Sequence, residues 1–179
     1  MLAALWFALG LPCTAIAGPP LVAVEAVAVH APRPFTPEQI RDAMPAGTRI
    51  SLRIETDAQE PIAERWTVIE ATPDGCTIAS VTYAPTSGAL IEDESTQTSA
   101  WAELAEHATF PAADTSITES SFDGPLGRHA TREYRVRHAD GELWIYRFAL
   151  ELPGPPVELV VEREGKVTFR MTQVLRQRG

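Results

Sequence analysis

The chain has 179 residues, room for one compact domain and too few for two of ordinary size. Apolar residues make up 45% and charged residues 22%, which excludes disorder as the main state. Fifteen basic residues against 24 acidic ones leave a formal charge of -9, the wrong sign for nucleic acid or an anionic membrane surface.

Residues 1–17 form an apolar run ending in Ala15-Ile16-Ala17, with small residues where a signal peptidase reads them and Gly18-Pro19-Pro20 following. The apolar stretch Leu2–Leu11 is shorter than the roughly 20 residues a membrane-spanning helix needs. We therefore expect export, with cleavage after Ala17 and a periplasmic or secreted mature chain; a second cut is readable after Ala28. No Lys or Arg precedes Arg33, so either the free amino terminus serves alone or the start lies upstream. Gly10-Leu11-Pro12-Cys13 lacks the small residue that precedes a lipidated cysteine. Cleavage leaves Cys76 alone, without an intrachain partner, and its strand-like surroundings suit burial as a small hydrophobe.

Residues 18–34, rich in Val, Ala and Pro, read as an extended linker to a single domain over 35–179. A helix start follows: Thr36 at N-cap, Pro37 at N1, Gln39 closing a capping box, and Phe35 and Ile40 as a hydrophobic staple. This helix spans 37–44 and stops at Pro45-Ala46-Gly47. Alternation then predicts strands at Ile50–Glu55, Arg65–Ala71 and Cys76–Tyr83, the last two around Pro73-Asp74-Gly75. Ser87–Ile91 reads as another strand, the polar run Glu92–Ser99 as a solvated acidic loop, and 100–107 as a short helix capped by Ser99.

The remainder reads as a meander. Thr115–Asp123 and Arg128–His138 join through Gly124–Gly127, which sets Glu119 opposite Arg132. Asp140-Gly141 turns into Leu143–Leu150, and Val157–Arg163 and Val167–Leu175 pair around Glu164-Gly165. The fold class is mainly β (α+β): a single curled antiparallel sheet or incomplete barrel with two short helices.

Motifs for chemistry are sparse. The sequence holds no G-x-S-x-G elbow, P-loop, G-x-G-x-x-G or H-E-x-x-H. His129 and Glu133 stand about 13 Å apart on a strand, too far to share a metal ion. No cofactor, metal ligand or catalytic residue is assigned; a hydrolase stays open, because triads assemble in space.

Charge and aromatic patterning say more. From Trp66 to Gly127 there is no Lys or Arg and there are ten acidic residues. Strand Leu143–Leu150 is apolar on both faces except at Arg147, so something must cover its second face. With Asp140-Gly141 as a two-residue turn, Arg137 falls opposite Trp144, Arg135 opposite Tyr146 and Glu133 opposite Phe148. Trp144, Tyr146, Phe148, Arg135 and Arg137 are then candidate ligand-binding residues: rings against an apolar part, guanidinium groups near an anionic head. Alternatively, the arginine stems simply shield the rings.

The run Leu143-Trp144-Ile145-Tyr146-Arg147-Phe148-Ala149, the break Leu152-Pro153-Gly154-Pro155-Pro156-Val157 and the terminal hairpin resemble uncharacterised bacterial envelope proteins. These look related to the lipoprotein-localisation-factor superfamily, and the resemblance covers roughly residues 110–175. It implies an incomplete barrel with helices over its hollow and lipid acyl chains as ligand. Three readings follow. The first is a non-catalytic exported envelope protein that binds or carries a hydrophobic or amphipathic ligand such as a lipid. The second is a structural or interaction protein presenting an acidic surface to an envelope partner. The third is a hydrolase without a readable motif.

Overall fold

The structure is a computed structural model that describes residues 29–179; the expected signal peptide, both cleavage sites and Cys13 lie outside the described residues. Helix α1 (Pro37–Ala43) starts as its sequence dictates. Thr36 Oγ1 accepts from the Gln39 amide at 3.3 Å, and the Gln39 side chain accepts from the Thr36 amide at 2.8 Å. Phe35 and Ile40 are each only 5% exposed, so the staple also plugs the helix into the core.

The strands follow in chain order. β1 (Arg49–Thr56), β2 (Ile62–Ala71), β3 (Gly75–Tyr83) and β4 (Leu90–Ala100) form one meander. Helix α2 (Trp101–Glu106) and a 3-10 turn lead to a second meander: β5 (Thr115–Gly124), β6 (Gly127–Arg137), β7 (Leu143–Ala149), β8 (Glu158–Arg163) and β9 (Lys166–Gln177). Pairing of β1 with β9 fuses them into one antiparallel sheet of order β4-β3-β2-β1-β9-β8-β7-β6-β5. The expected single antiparallel sheet with two short helices is what forms, and it is open: β4 and β5 are its edges.

The sheet curls. β4 and β7 are six places apart in the order, about 29 Å along a flat sheet, yet Gln97 and Ser99 of β4 line the same cleft as Trp144 and Tyr146 of β7. The inner face carries Ile50, Leu52, Tyr134, Phe148, Leu159 and Met171, packed with Phe35, Ile40, Trp101 and Leu104 from the helices and their approaches. Helix α2 is pinned across the opening by the Trp101 indole, which donates to the Thr72 carbonyl at 2.9 Å. Arg176 locks the other end, donating to the carbonyls of Leu152, Pro153 and Ala43; burial pulls its pKa down to about 10. Cys76 is free and 2% exposed, and burial pushes its thiol up to about 11.

Three expectations are corrected. The acidic run Glu92–Ser99 is not a loop but most of edge strand β4. Its residues read as loop because nearly all of them face water, as an edge strand allows. Helix α2 is not capped by Ser99, which pairs with Cys76 in the ladder; N-cap is Ala100, whose amide donates to Glu103 Oε2 at 3.0 Å.

The third correction is register. The β6–β7 turn has three residues, Ala139, Asp140 and Gly141: the His138 amide donates to the Glu142 carbonyl at 2.9 Å and the Gly141 amide to the His138 carbonyl at 3.0 Å. Gly141 takes φ +87°, the left-handed position that closes a three-residue hairpin turn. Arg137 therefore pairs with Leu143, Val136 with Trp144, Arg135 with Ile145, Tyr134 with Tyr146, Glu133 with Arg147 and Arg132 with Phe148. A one-residue slip swaps every side chain to the other face. By contrast, Glu119 does pair with Arg132 as expected, at 3.1 Å.

Candidate functional site: an aromatic cleft under helix α2

The inner face of the second meander carries a continuous aromatic array. Tyr146 and Phe148 alternate with Ile145 and Arg147 along β7, so their rings stack in parallel, centroids 6.3 Å apart. Trp144 lies 6.1 Å from Tyr146 and 5.1 Å from the His138 ring. Phe110, just beyond α2, comes to 4.7 Å from Tyr146 and 5.3 Å from Tyr134. Phe35 meets Phe148 edge-on at 6.0 Å. These separations are those of favourable aromatic pairs.

Hydrogen bonds fix the array. The Tyr134 hydroxyl donates to the Pro32 carbonyl at 2.8 Å, and the Ala31 amide to the Phe110 carbonyl at 2.8 Å. The extended segment before α1 is thereby sewn along the segment after α2. The Trp144 indole donates to Glu142 Oε2 at 2.9 Å, and Glu142 is itself held by Arg163. Burial drives the Tyr146 phenol well above its ordinary range, so it stays neutral.

Between this array and α2 opens a cleft of about 610 Å³. Trp144, Tyr146, Phe148 and Phe110 line it together with Glu103, Leu104, Glu106 and His107 of α2 and its C-cap. Burial lowers the His107 pKa, against the opposing pull of Glu103 and Glu106. Of the sequence-predicted site residues, Trp144, Tyr146 and Phe148 come together here. Arg135 and Arg137 do not: the three-residue turn sends them to the outer face, where Arg135 binds Glu133 Oε1 at 3.1 Å and Arg137 is exposed. The face of rings and guanidinium groups anticipated from the sequence is not formed.

Sequence reasoning missed Phe110, Glu103 and Glu106 as lining residues. Phe110-Pro111 reads as a helix terminator, and nothing local shows that the chain then folds back over the sheet. The outer face holds an ion ladder in place of a ligand. Glu133 binds Arg147 at 2.8 Å, Arg147 binds Glu158, and Glu158 reaches Arg170 at 3.5 Å. Phe122 lies over the Arg147 guanidinium at 5.6 Å. The ladder, with the arginine stems, covers the second face of β7. Among the described residues no group of three or more His, Cys, Asp or Glu is placed to hold a metal, and no helix is long and apolar enough to cross a membrane.

Solved structures of MucB share this fold. A crystal structure of MucB matches with a TM-score of 0.55 at 10% identity, over 79% of this chain and 57% of that one. MucB in complex with MucA(peri) matches at 0.53 and 9% identity, over 78% and 53%. The Pseudomonas aeruginosa MucA/MucB complex matches at 0.52 and 8% identity, over 78% and 54%. The chain thus spans little more than half the length of the MucB chains it resembles. At such identity the likeness is one of fold. It supports a fold shared with MucB, which is coarser than the expected kinship with the lipoprotein-localisation-factor superfamily. No family model and no curated protein matches the chain.

Proposed function

We propose that this protein is an exported interaction module of the bacterial envelope that presents an acidic surface to a partner protein. The observation that carries the reading is where the acidic segment falls. Both edge strands β4 and β5, with α2 between them, come from the stretch free of Lys and Arg. The opening of the sheet is therefore bordered by Glu92, Asp93 and Glu94 on one side and Glu119 and Asp123 on the other. Like charges repel other edges and select a basic partner. The fold supports the same reading, since two of the MucB structures that share it hold MucA. In-cell crosslinking of the exported protein tests it. A dominant crosslinked partner should be lost when Glu92, Asp93 and Glu94 are replaced by Lys; an unchanged pattern would refute the acidic surface as the contact.

A second reading has its own observation. The cleft lined by Trp144, Tyr146 and Phe148 has the volume and apolar walls of a small-molecule site, and an amphipathic ligand such as a lipid would fit it. Titrating a long-chain anionic lipid while following tryptophan emission in wild type and Trp144→Phe checks this. A saturable change in wild type alone supports it; none, or the same change in both, rejects it.

A further inference from the structure

The cleft has a definite electrostatic sign. Glu103 and Glu106 of α2 are among its lining residues, and no Lys or Arg is. Three arginines come close behind the lining: Arg132, the cross-strand neighbour of Phe148, binds Glu119 at 3.1 Å, and the other two are held by neutral oxygens. Arg33 donates to the Thr109 hydroxyl at 2.8 Å, and Arg176 is bonded to the carbonyls of Leu152, Pro153 and Ala43. Helix α2 has no basic residue in its last turn, so the partial negative charge of its carbonyl end adds to that of the carboxylates.

Aromatic rings share this lining. Trp144 and Tyr146 are half-buried rather than sealed, while Phe110 and Phe148 behind them are 6% and 2% exposed. Aromatic faces attract cations through the ring quadrupole, most strongly where water is displaced. Rings and exposed carboxylates in one lining favour a cation and disfavour an anionic head.

We propose that this cleft receives a Lys or Arg side chain carried on an apolar segment of a partner protein, the cation lying between the Trp144 and Tyr146 rings and the Glu103 and Glu106 carboxylates. The proposal rests on the interaction-module reading and gives its partner a chemistry: a basic, apolar peptide. Its stem and flanking apolar residues take the place of water against Leu104, Phe110 and Phe148. The cation joins a lining that holds Glu106 and Glu103, the latter also accepting from the Ala100 amide, and no Lys or Arg.

Fluorescence anisotropy with a labelled Leu/Lys peptide, and the same peptide with Glu in place of Lys, decides the matter. The Leu/Lys peptide should bind saturably, and the Leu/Glu peptide at least about tenfold more weakly. Glu103→Gln with Glu106→Gln should weaken Leu/Lys binding by about tenfold, and Trp144→Leu by a similar factor. Asp57→Asn with Glu60→Gln, an equal charge change in the β1–β2 loop and outside the cleft lining, should leave it unaltered. Equal affinity for the two peptides, or wild-type binding by the Glu103/Glu106 variant, overturns the proposal. So does displacement of the bound peptide by dodecyl phosphate but not by dodecyltrimethylammonium, which would mark an anionic-lipid site. If the crosslinked partner is lost on reversing Glu92, Asp93 and Glu94 yet kept by the Glu103/Glu106 variant, the cleft proposal fails alone and the interaction module stands.

Discussion

Glu64 sits on the inner face of β2, between Leu52 of β1 and Thr82 of β3, with 5% of its surface exposed. Burial raises its pKa, the Trp66 indole bonded to it lowers it, and Glu92 raises it again; the net direction is up. The folded protein therefore holds this proton at a higher pH than the unfolded chain does. The contribution of Glu64 to stability is full below the unfolded value of 4.5 and is lost as pH rises through the raised value. Glu64→Gln should thus raise the urea midpoint at pH 7, with the gain shrinking as pH falls through the raised value and gone below 4.5. An equal gain at both pH values would show that something other than the charge is responsible. At the N-terminus of α1 the expected change has the opposite sign. Thr36→Ala removes one acceptor of the capping box and should cost about 1 kcal/mol in denaturant unfolding.

The elements differ in how far the sequence discloses them. The start of α1 was legible because cap, box and staple are all written within six residues. The position of β7 was legible too, but not its register, since a strand apolar on both faces fits its neighbour equally well after a slip of one. The information lay in β6. There Tyr134 and Val136, 0% and 3% exposed, alternate with Glu133, Arg135 and Arg137, so only one face of β6 can meet the core. Weighing that alternation above the Asp140-Gly141 dipeptide would have placed the arginines outside and shown the cleft without them. The acidic rim was legible as composition only, because its location depends on which strands end up at the edges. On the outer face, Glu158 is 4% exposed and holds both Arg147 and Arg170. Glu158→Ala leaves Arg147 with Glu133 alone and should cost roughly 2–3 kcal/mol. As a partly buried network it should lose little of that contribution in 1 M salt; thermal melts at low and high salt check both statements.

At the scale of the whole molecule, every strand pair but one joins neighbours along the chain. The exception is β1 with β9, whose partners run from Arg49 with Gln177 to Thr56 with Phe169. This joint carries Leu52 and Met171 into the common core, so neither meander closes its hydrophobic face alone. A chain ending at Glu164 should show no cooperative unfolding transition by circular dichroism, whereas the described residues 29–179 should show one. Because β9 follows every other strand, a polypeptide threaded through a membrane from its amino end delivers both meanders before the strand that unites them. Until β9 arrives, β1 and β8 each present a bare hydrogen-bonding edge, the form most prone to mispairing between copies. If the proposed export holds, safe delivery of this fold depends on how quickly its final strand follows, or on a chaperone that shields those two edges meanwhile.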